Sequence, residues 1–229
     1  MPTYEGLRLK VLKYDRKLFG NYHQKDLKNK QFTIISNNCW GGLVYEYYNL
    51  QKQSPTVGLF FMADDYIRFV SSLHEYLSAE LEFINPEESK WKEYWDGKDS
   101  RFGSYPIGRL NLRRGGAETV EIFFLHYHSD EEARANWERR CERINWNKLI
   151  VKFNDQNGCT KEHIKRFIGL DFKHKAFFTC KRWDGVDYSA PGLWYEEISQ
   201  FPRHEQIIAS FEPFNRKVTL LINSLYMRE

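Results

Sequence analysis

What the chain lacks narrows it first. Its four cysteines, Cys39, Cys141, Cys159 and Cys180, are far apart and form no CxxC pair. That excludes a zinc ribbon and a thioredoxin-like motif, and free thiols in a reducing compartment are expected. No uninterrupted apolar run approaches the roughly 20 residues that span a bilayer. The opening MPTYEGLRLKVLKYDRKL is too charged for the apolar centre of a secretory leader, so the expected location is cytoplasmic. A net charge of +3 with 28% charged residues lacks the clustered basic excess of a nucleic-acid binder, and no nucleic-acid partner is expected. Neither GxGxxG nor GxxxxGKS/T occurs, which removes the dinucleotide fingerprint and the P-loop. No DxD-type motif lies beside a strand end; Asp64-Asp65 reads as the start of a helix. There is no internal repeat, low-complexity tract or linker.

What is present is ample core material in 229 residues, 17% of them aromatic. Residues 1–30 form a basic flank (Arg8, Lys10, Lys13, Arg16, Lys17, Lys25, Lys28, Lys30) with some apolar character from Leu7, Leu9 and Leu12. It suits a solvated helix or arm, or a peripheral contact with an anionic membrane. Residues 31–229 read as a single α/β domain. The organising stretch is Val120–Asn145. Ile122–Leu125 reads as a strand covered on both faces; His126-Tyr127-His128 follows, its period of two placing both imidazoles on one side. Ser129 and Glu132 have capping-box spacing, and Ala133, Trp137, Cys141 and Ile144 line a helix face. Further strands are expected at Gln31–Ser36, Thr56–Phe61, Leu81–Ile84, Lys148–Phe153, Lys175–Cys180 and Gln206–Ser210, while Tyr105–Leu112 and Glu118–Leu125 read as two strands joined by a hairpin-like turn at Arg113-Arg114-Gly115-Gly116. Helices are expected at Leu43–Leu50, after a cap at Asp64 or Asp65, after a cap at Thr160, and from Pro213. Residues 85–104 and 184–206 read as loops. Strands alternating with helices imply a three-layer α/β/α domain with a mixed, largely parallel sheet.

In open α/β sheets ligands bind beyond the carboxyl ends of the strands. Those ends are Asn37-Asn38, His126-Tyr127-His128, Asn154-Asp155 and Lys181-Arg182. The junction Asn37-Asn38-Cys39-Trp40-Gly41-Gly42 permits close backbone approach at a helix start, which favours an anion, although the glycines equally serve a sharp turn. Cys39 is a nucleophile only where a histidine lowers its pKa, and an inert buried thiol is the simpler reading. His126 and His128 suit a general base, with Asp155 to orient the imidazole; no third ligand is spaced with them, so no metal site is assigned. Lys181 and Arg182 offset phosphate charge. The loop aromatics Trp91, Tyr94, Trp95, Trp183 and Trp194 suit stacking on a sugar or base, or core packing.

The segments ISNNCWGG (Ile35–Gly42), SPTVGLFF (Ser54–Phe61), DYIRFVSSLHEYL (Asp65–Leu77), YPIG (Tyr105–Gly108) and FLHYHSDEEARANWERRCERIN (Phe124–Asn145) together resemble a bacterial domain family of unknown function. Its members are often labelled exopolysaccharide biosynthesis proteins. The resemblance covers most of residues 30–180 and implies an α/β fold and an association with capsule or exopolysaccharide assembly; it supplies no catalytic residues. The expectation is therefore a transferase taking a sugar nucleotide or other phosphate-bearing donor to a glycan acceptor. A coenzyme A-dependent acyltransferase on a glycan, or a non-catalytic glycan- or nucleotide-binding accessory protein, are the alternatives. No cofactor is specified.

Overall fold

A computed structural model describes residues 4–112, 119–198, 212–213 and 216–225. The strands are β1 (Thr33–Ser36), β2 (Leu81–Ile84), β3 (Ile107–Asn111), β4 (Thr119–Phe123), β5 (Leu149–Asn154), β6 (Lys175–Thr179) and β7 (Leu193–Glu197). The helices are α1 (Tyr4–His23), α2 (Trp40–Tyr47), α3 (Ala63–Ser71), α4 (Leu73–Leu77), α5 (Lys92–Trp95), α6 (Asp130–Cys141), α7 (Lys161–Gly169) and α8 (Arg216–Ser224).

The fold is α/β, with parallel and antiparallel pairing separated into two sheets. One has the order β1-β5-β6-β7 and is parallel throughout; the other, β2-β3-β4, is antiparallel. Alternation along β5 shows how the first sheet is covered. Val151 and Phe153 enter a core with Tyr66 and Phe69 of α3, Ile164 and Phe167 of α7, and Trp137 of α6. Ile150 faces the opposite layer, made by Trp40, Val44 and Tyr45 of α2 and Val218, Leu221 and Ile222 of α8. Burial of these rings and branched chains, at about 25 cal/mol per Å² of apolar surface, holds the layers together.

Thr56–Phe61 is not a strand. Phe60 forms a single antiparallel bridge with Phe123, while the Phe61 amide donates to the Asn37 carbonyl (3.1 Å). Successive residues thus hydrogen-bond to different sheets, and the segment staples one to the other. The loop expected over 184–206 contains β7. Its Leu-Trp-Tyr run escaped notice because Pro191-Gly192 stands before it; Gly192 has φ +72°, and a Cβ there would lie 2.2 Å from the Lys173 carbonyl. Neither Asp64 nor Asp65 caps α3, whose N-cap is Met62; both lie in its first turn. The turn expected at 113–116 and the strand at 206–210 lie outside the described residues.

The excursion 85–104 folds back rather than hanging free. Trp91, Tyr94, Trp95 and Phe102 pack on Phe60, Tyr105 and Phe123. Two buried carboxylates anchor it. Asp65 accepts from Lys90 Nζ and Trp91 Nε1 (both 2.5 Å), and Glu121 accepts from Ser89 Oγ (2.6 Å), the Lys90 amide (3.2 Å) and Arg109 (3.0 Å).

Candidate functional site

The carboxyl ends of β1, β5 and β6 lie side by side, so Asn37-Asn38, Asn154-Asp155 and Lys181-Arg182 share one edge of the parallel sheet. At its centre is a residue from within a strand, not from a strand end. Lys152 of β5 is wholly buried and points to the α2 layer, where its Nζ stands 5.8 Å from the Trp40 ring and 5.7 Å from Phe178. It is ion-paired with Glu212, which is also fully buried, and donates to Asn38 Oδ1 (2.9 Å) and Asn37 Oδ1 (3.3 Å).

Amides complete the ring. Asn37 Nδ2 donates to Asn154 Oδ1 (2.7 Å), and Asn154 Nδ2 to Glu212 Oε1 (2.9 Å) and Gln156 Oε1 (3.0 Å). Asn38 Nδ2 donates to Gln156 Oε1 (2.8 Å) and Glu212 Oε2 (3.2 Å). The Trp40 indole donates to the Pro213 carbonyl (3.1 Å), fixing the segment that carries Glu212 against the start of α2. Burial pushes the Lys152 ammonium pKa down and that of the Glu212 carboxyl up, while each charge holds the other in place.

The junction 37–42 is built differently from an anion cradle. The Trp40 amide, at the head of α2, donates to Asn38 Oδ1 (3.1 Å). A Cβ on Gly41 would lie 3.2 Å from Ile34, and one on Gly42 3.0 Å from Val57. Both glycines therefore let α2 pack closely on β1 and the stapling segment. Burial drives the Cys39 thiol up to about 12, which fits an inert buried thiol; its Sγ lies 3.8 Å from the Leu59 carbonyl oxygen.

His126 and His128 follow the antiparallel sheet, not the parallel one. The chain turns at Leu125–His126 instead of staying extended. The buried residue is Tyr127, whose hydroxyl donates to the Val57 carbonyl (2.6 Å) and accepts from Arg140 Nη1 (2.5 Å). Both imidazoles are exposed. The His126 amide donates to the Gly58 carbonyl (3.0 Å), which holds His126 against the stapling segment. Protein packed around its ring lowers the His126 pKa below the usual imidazole value, and Arg101 adds to the lowering. The His128 amide donates to Glu132 Oε2 (2.9 Å) as the Glu132 amide donates to Ser129 Oγ (3.2 Å), starting α6.

Asp155 Oδ2 accepts from the Thr179 hydroxyl (2.7 Å) and the Cys180 amide (3.1 Å), tying the end of β5 to that of β6. Neither of these partners is an imidazole. Lys181 and Arg182 are exposed beyond β6, Lys181 Nζ 4.9 Å from the Trp183 ring and the Arg182 guanidinium 5.5 Å from Tyr188, a cationic ledge on the same edge. Clefts of about 420 and 400 Å³ open at the opposite edge, by the starts of β6 and β7 and of β5. Neither gathers buried charge. Among the described residues no group of three His, Cys, Asp or Glu comes together to hold a metal.

One signal for Lys152 was available: KLIVKF places a lysine between two residues of a strand covered on both faces, where charge is rare unless paired. For Glu212 there was none.

A family model described as a domain of unknown function, DUF1919, matches residues 10–211. The chain belongs to the DUF1919 family. It is also similar to an uncharacterized protein of Haemophilus influenzae, 30% identical over 181 residues that cover 79% of this chain and 77% of that protein. The DUF1919 match takes in the asparagine ring and Lys152 and ends one residue before Glu212.

Proposed function

We propose that this DUF1919 chain is a cytoplasmic transferase that carries a sugar from a phosphate-bearing donor, such as a sugar nucleotide, to a glycan hydroxyl in exopolysaccharide or capsule assembly. The observation that carries the reading is the Lys152–Glu212 pair, buried within Asn37, Asn38 and Asn154 at the carboxyl edge of the parallel sheet. A buried ion pair of this kind is a poor source of stability, because desolvation offsets most of its attraction. Its position is where α/β sheets hold ligands.

In this reading Lys152 and Glu212 are positioning residues that fix the amides above them. Asn38 and Gln156 meet the donor's hydroxyls, while Lys181 and Arg182 meet its phosphates. The acceptor hydroxyl attacks the anomeric carbon; the bond from that carbon to the phosphate oxygen breaks, and the phosphate leaves with its electron pair. His126, neutral near pH 7 because its pKa is lowered, accepts the hydroxyl proton. His128, engaged at the head of α6, is given no role.

A thermal-shift screen against sugar nucleotides, nucleoside phosphates and coenzyme A esters tests this, since a ligand of the folded state raises its stability by RT ln(1 + [L]/Kd). The expected result is a shift with a sugar nucleotide that disappears when Lys181 and Arg182 are both replaced by Ala. A shift with coenzyme A alone replaces glycosyl by acyl transfer. A sugar-nucleotide shift without turnover on any glycan acceptor makes the protein a binding module. Silence throughout overturns the proposal.

A further inference from the structure

The helix that precedes the sheet is amphipathic in an unusual direction. α1 packs on α2 through one side: Arg16 pairs with Glu46 (3.8 Å), His23 stacks on Tyr47 with ring centroids 4.1 Å apart, and Gly20 lies against Asn49. At 100° per residue, Leu7, Val11, Tyr14, Leu18 and Tyr22 fall on a single stripe on the other side. All are open to solvent, with relative exposures of 57, 59, 62, 69 and 66%. Five large apolar side chains in register are more than the scattered apolar residues of an ordinary surface.

The charge around the stripe identifies what covers it. α1 carries Arg8, Lys10, Lys13, Arg16 and Lys17 against Glu5 and Asp15, an excess of three positive charges equal to that of the whole chain. Lys10 and Lys17 border the stripe on one side, with Lys13 behind them; on the other side Asp15, 3.3 Å from His23 Nε2, lies next to the stripe and Arg8 beyond it. A second α1 laid antiparallel along the stripe would bring Lys10 and Lys17 against their own counterparts. A bilayer with anionic headgroups instead takes the apolar stripe among its acyl chains and the lysines among its phosphates. Among the described residues no helix is long and apolar enough to cross a membrane, and the stripe needs only a helix lying in the interface.

We propose that α1 docks the protein on anionic lipid surfaces through Leu7, Val11, Tyr14, Leu18 and Tyr22, with Lys10, Lys13 and Lys17 contacting headgroups. The test is flotation of the full chain with vesicles of phosphatidylcholine alone or mixed with phosphatidylglycerol. Binding is expected to the mixed vesicles only and to fall as salt rises. Replacing Lys10, Lys13 and Lys17 by Gln should weaken it about fivefold per lysine. Leu18→Glu should abolish it with circular dichroism unchanged, since Leu18 supports nothing beneath it. Failure to float with either vesicle overturns the proposal. So does a concentration-dependent dimer that Leu18→Glu dissociates, because the stripe then belongs to a second copy of the chain.

Discussion

Lys152 Nζ and the Glu212 carboxylate meet with neither side chain exposed, one from the middle of a central strand and the other from just before the last helix. Each charge has lost its water, and its compensation is the partner together with the Asn37, Asn38 and Asn154 side chains. Such pairs are costly to break and of little net benefit when intact.

Breaking the pair from one side should therefore hurt more than removing it. Lys152→Met leaves Glu212 buried without its cation, and the expected loss is about 3–5 kcal/mol of unfolding free energy. Adding Glu212→Gln should recover part of that loss, because it removes the unpaired charge and its amide oxygen still accepts from Asn38 or Asn154, although its NH2 cannot accept from the other. Urea denaturation of the two single variants and the double variant measures the coupling; additive losses would mean that the two groups do not act as a pair. A double variant that folds but no longer binds donor separates the positioning role from a structural one.

Gly42→Ala distinguishes the packing account of the glycines from a ligand cradle. The new Cβ would lie 3.0 Å from Val57 Cγ1, so α2 or the stapling segment must give way, at an expected cost of about 1–3 kcal/mol. Denaturation midpoints should fall while donor affinity of the folded fraction is kept. Unchanged stability with lost affinity would return Gly42 to the ligand site.

The layers and most strands were legible because alternation and caps are local signals. Thr160 was expected to start a helix, and its hydroxyl does accept from the His163 amide at the head of α7. The carboxyl-edge set of Asn37, Asn38, Asn154, Asp155, Lys181 and Arg182 was legible for the same reason, since each follows an apolar run. Sheet membership was not. The hairpin of β3 with β4 is legible in the two apolar runs, and the strands do pair antiparallel, but nothing local shows that this pair leaves the parallel sheet, so His126 and His128 share an edge with Asn154 only on the assumption of one parallel sheet. Tyr127 shows the second limit: the turn at Leu125–His126 reverses which side chain faces inward. Glu212 shows the third, for its partner is fixed only when the chain returns to β5.

Asp65 carries a pH signature. Its carboxyl is fully buried, and burial raises its pKa to about 6 in spite of Lys90 and Trp91. The folded state therefore holds this proton more tightly than the unfolded chain, whose Asp titrates near 3.9. Below that value the two states are equally protonated. As pH rises from about 4 to about 6 the unfolded chain releases the proton first, so stability falls, and above about 6 the difference is constant. Relative to Asp65→Asn, which does not titrate, the wild type should lose up to about 3 kcal/mol across that window. Thermal unfolding of both proteins at several pH values checks the slope; a difference that is flat or rises with pH would place the Asp65 pKa at or below its unfolded value.

Tyr127 and His126 are neighbours with opposite expected phenotypes. Tyr127→Phe removes a buried hydroxyl shared by the Val57 carbonyl and Arg140 and should cost about 1–3 kcal/mol, with activity of the folded fraction retained. His126→Ala removes an exposed ring and should change stability by no more than about 0.5 kcal/mol, yet lower kcat by roughly 10²–10⁴ if the ring is the base. The pH profile gives an independent readout. With a pKa lowered by its surroundings, His126 loses its proton at a lower pH than a free imidazole, so kcat should rise with pH through a midpoint below the usual imidazole value and then level off. That limb should vanish in His126→Ala, leaving a small residual rate. A variant that keeps both the rate and the limb would move the base elsewhere on the edge, with the Lys152–Glu212 pair the next position to probe.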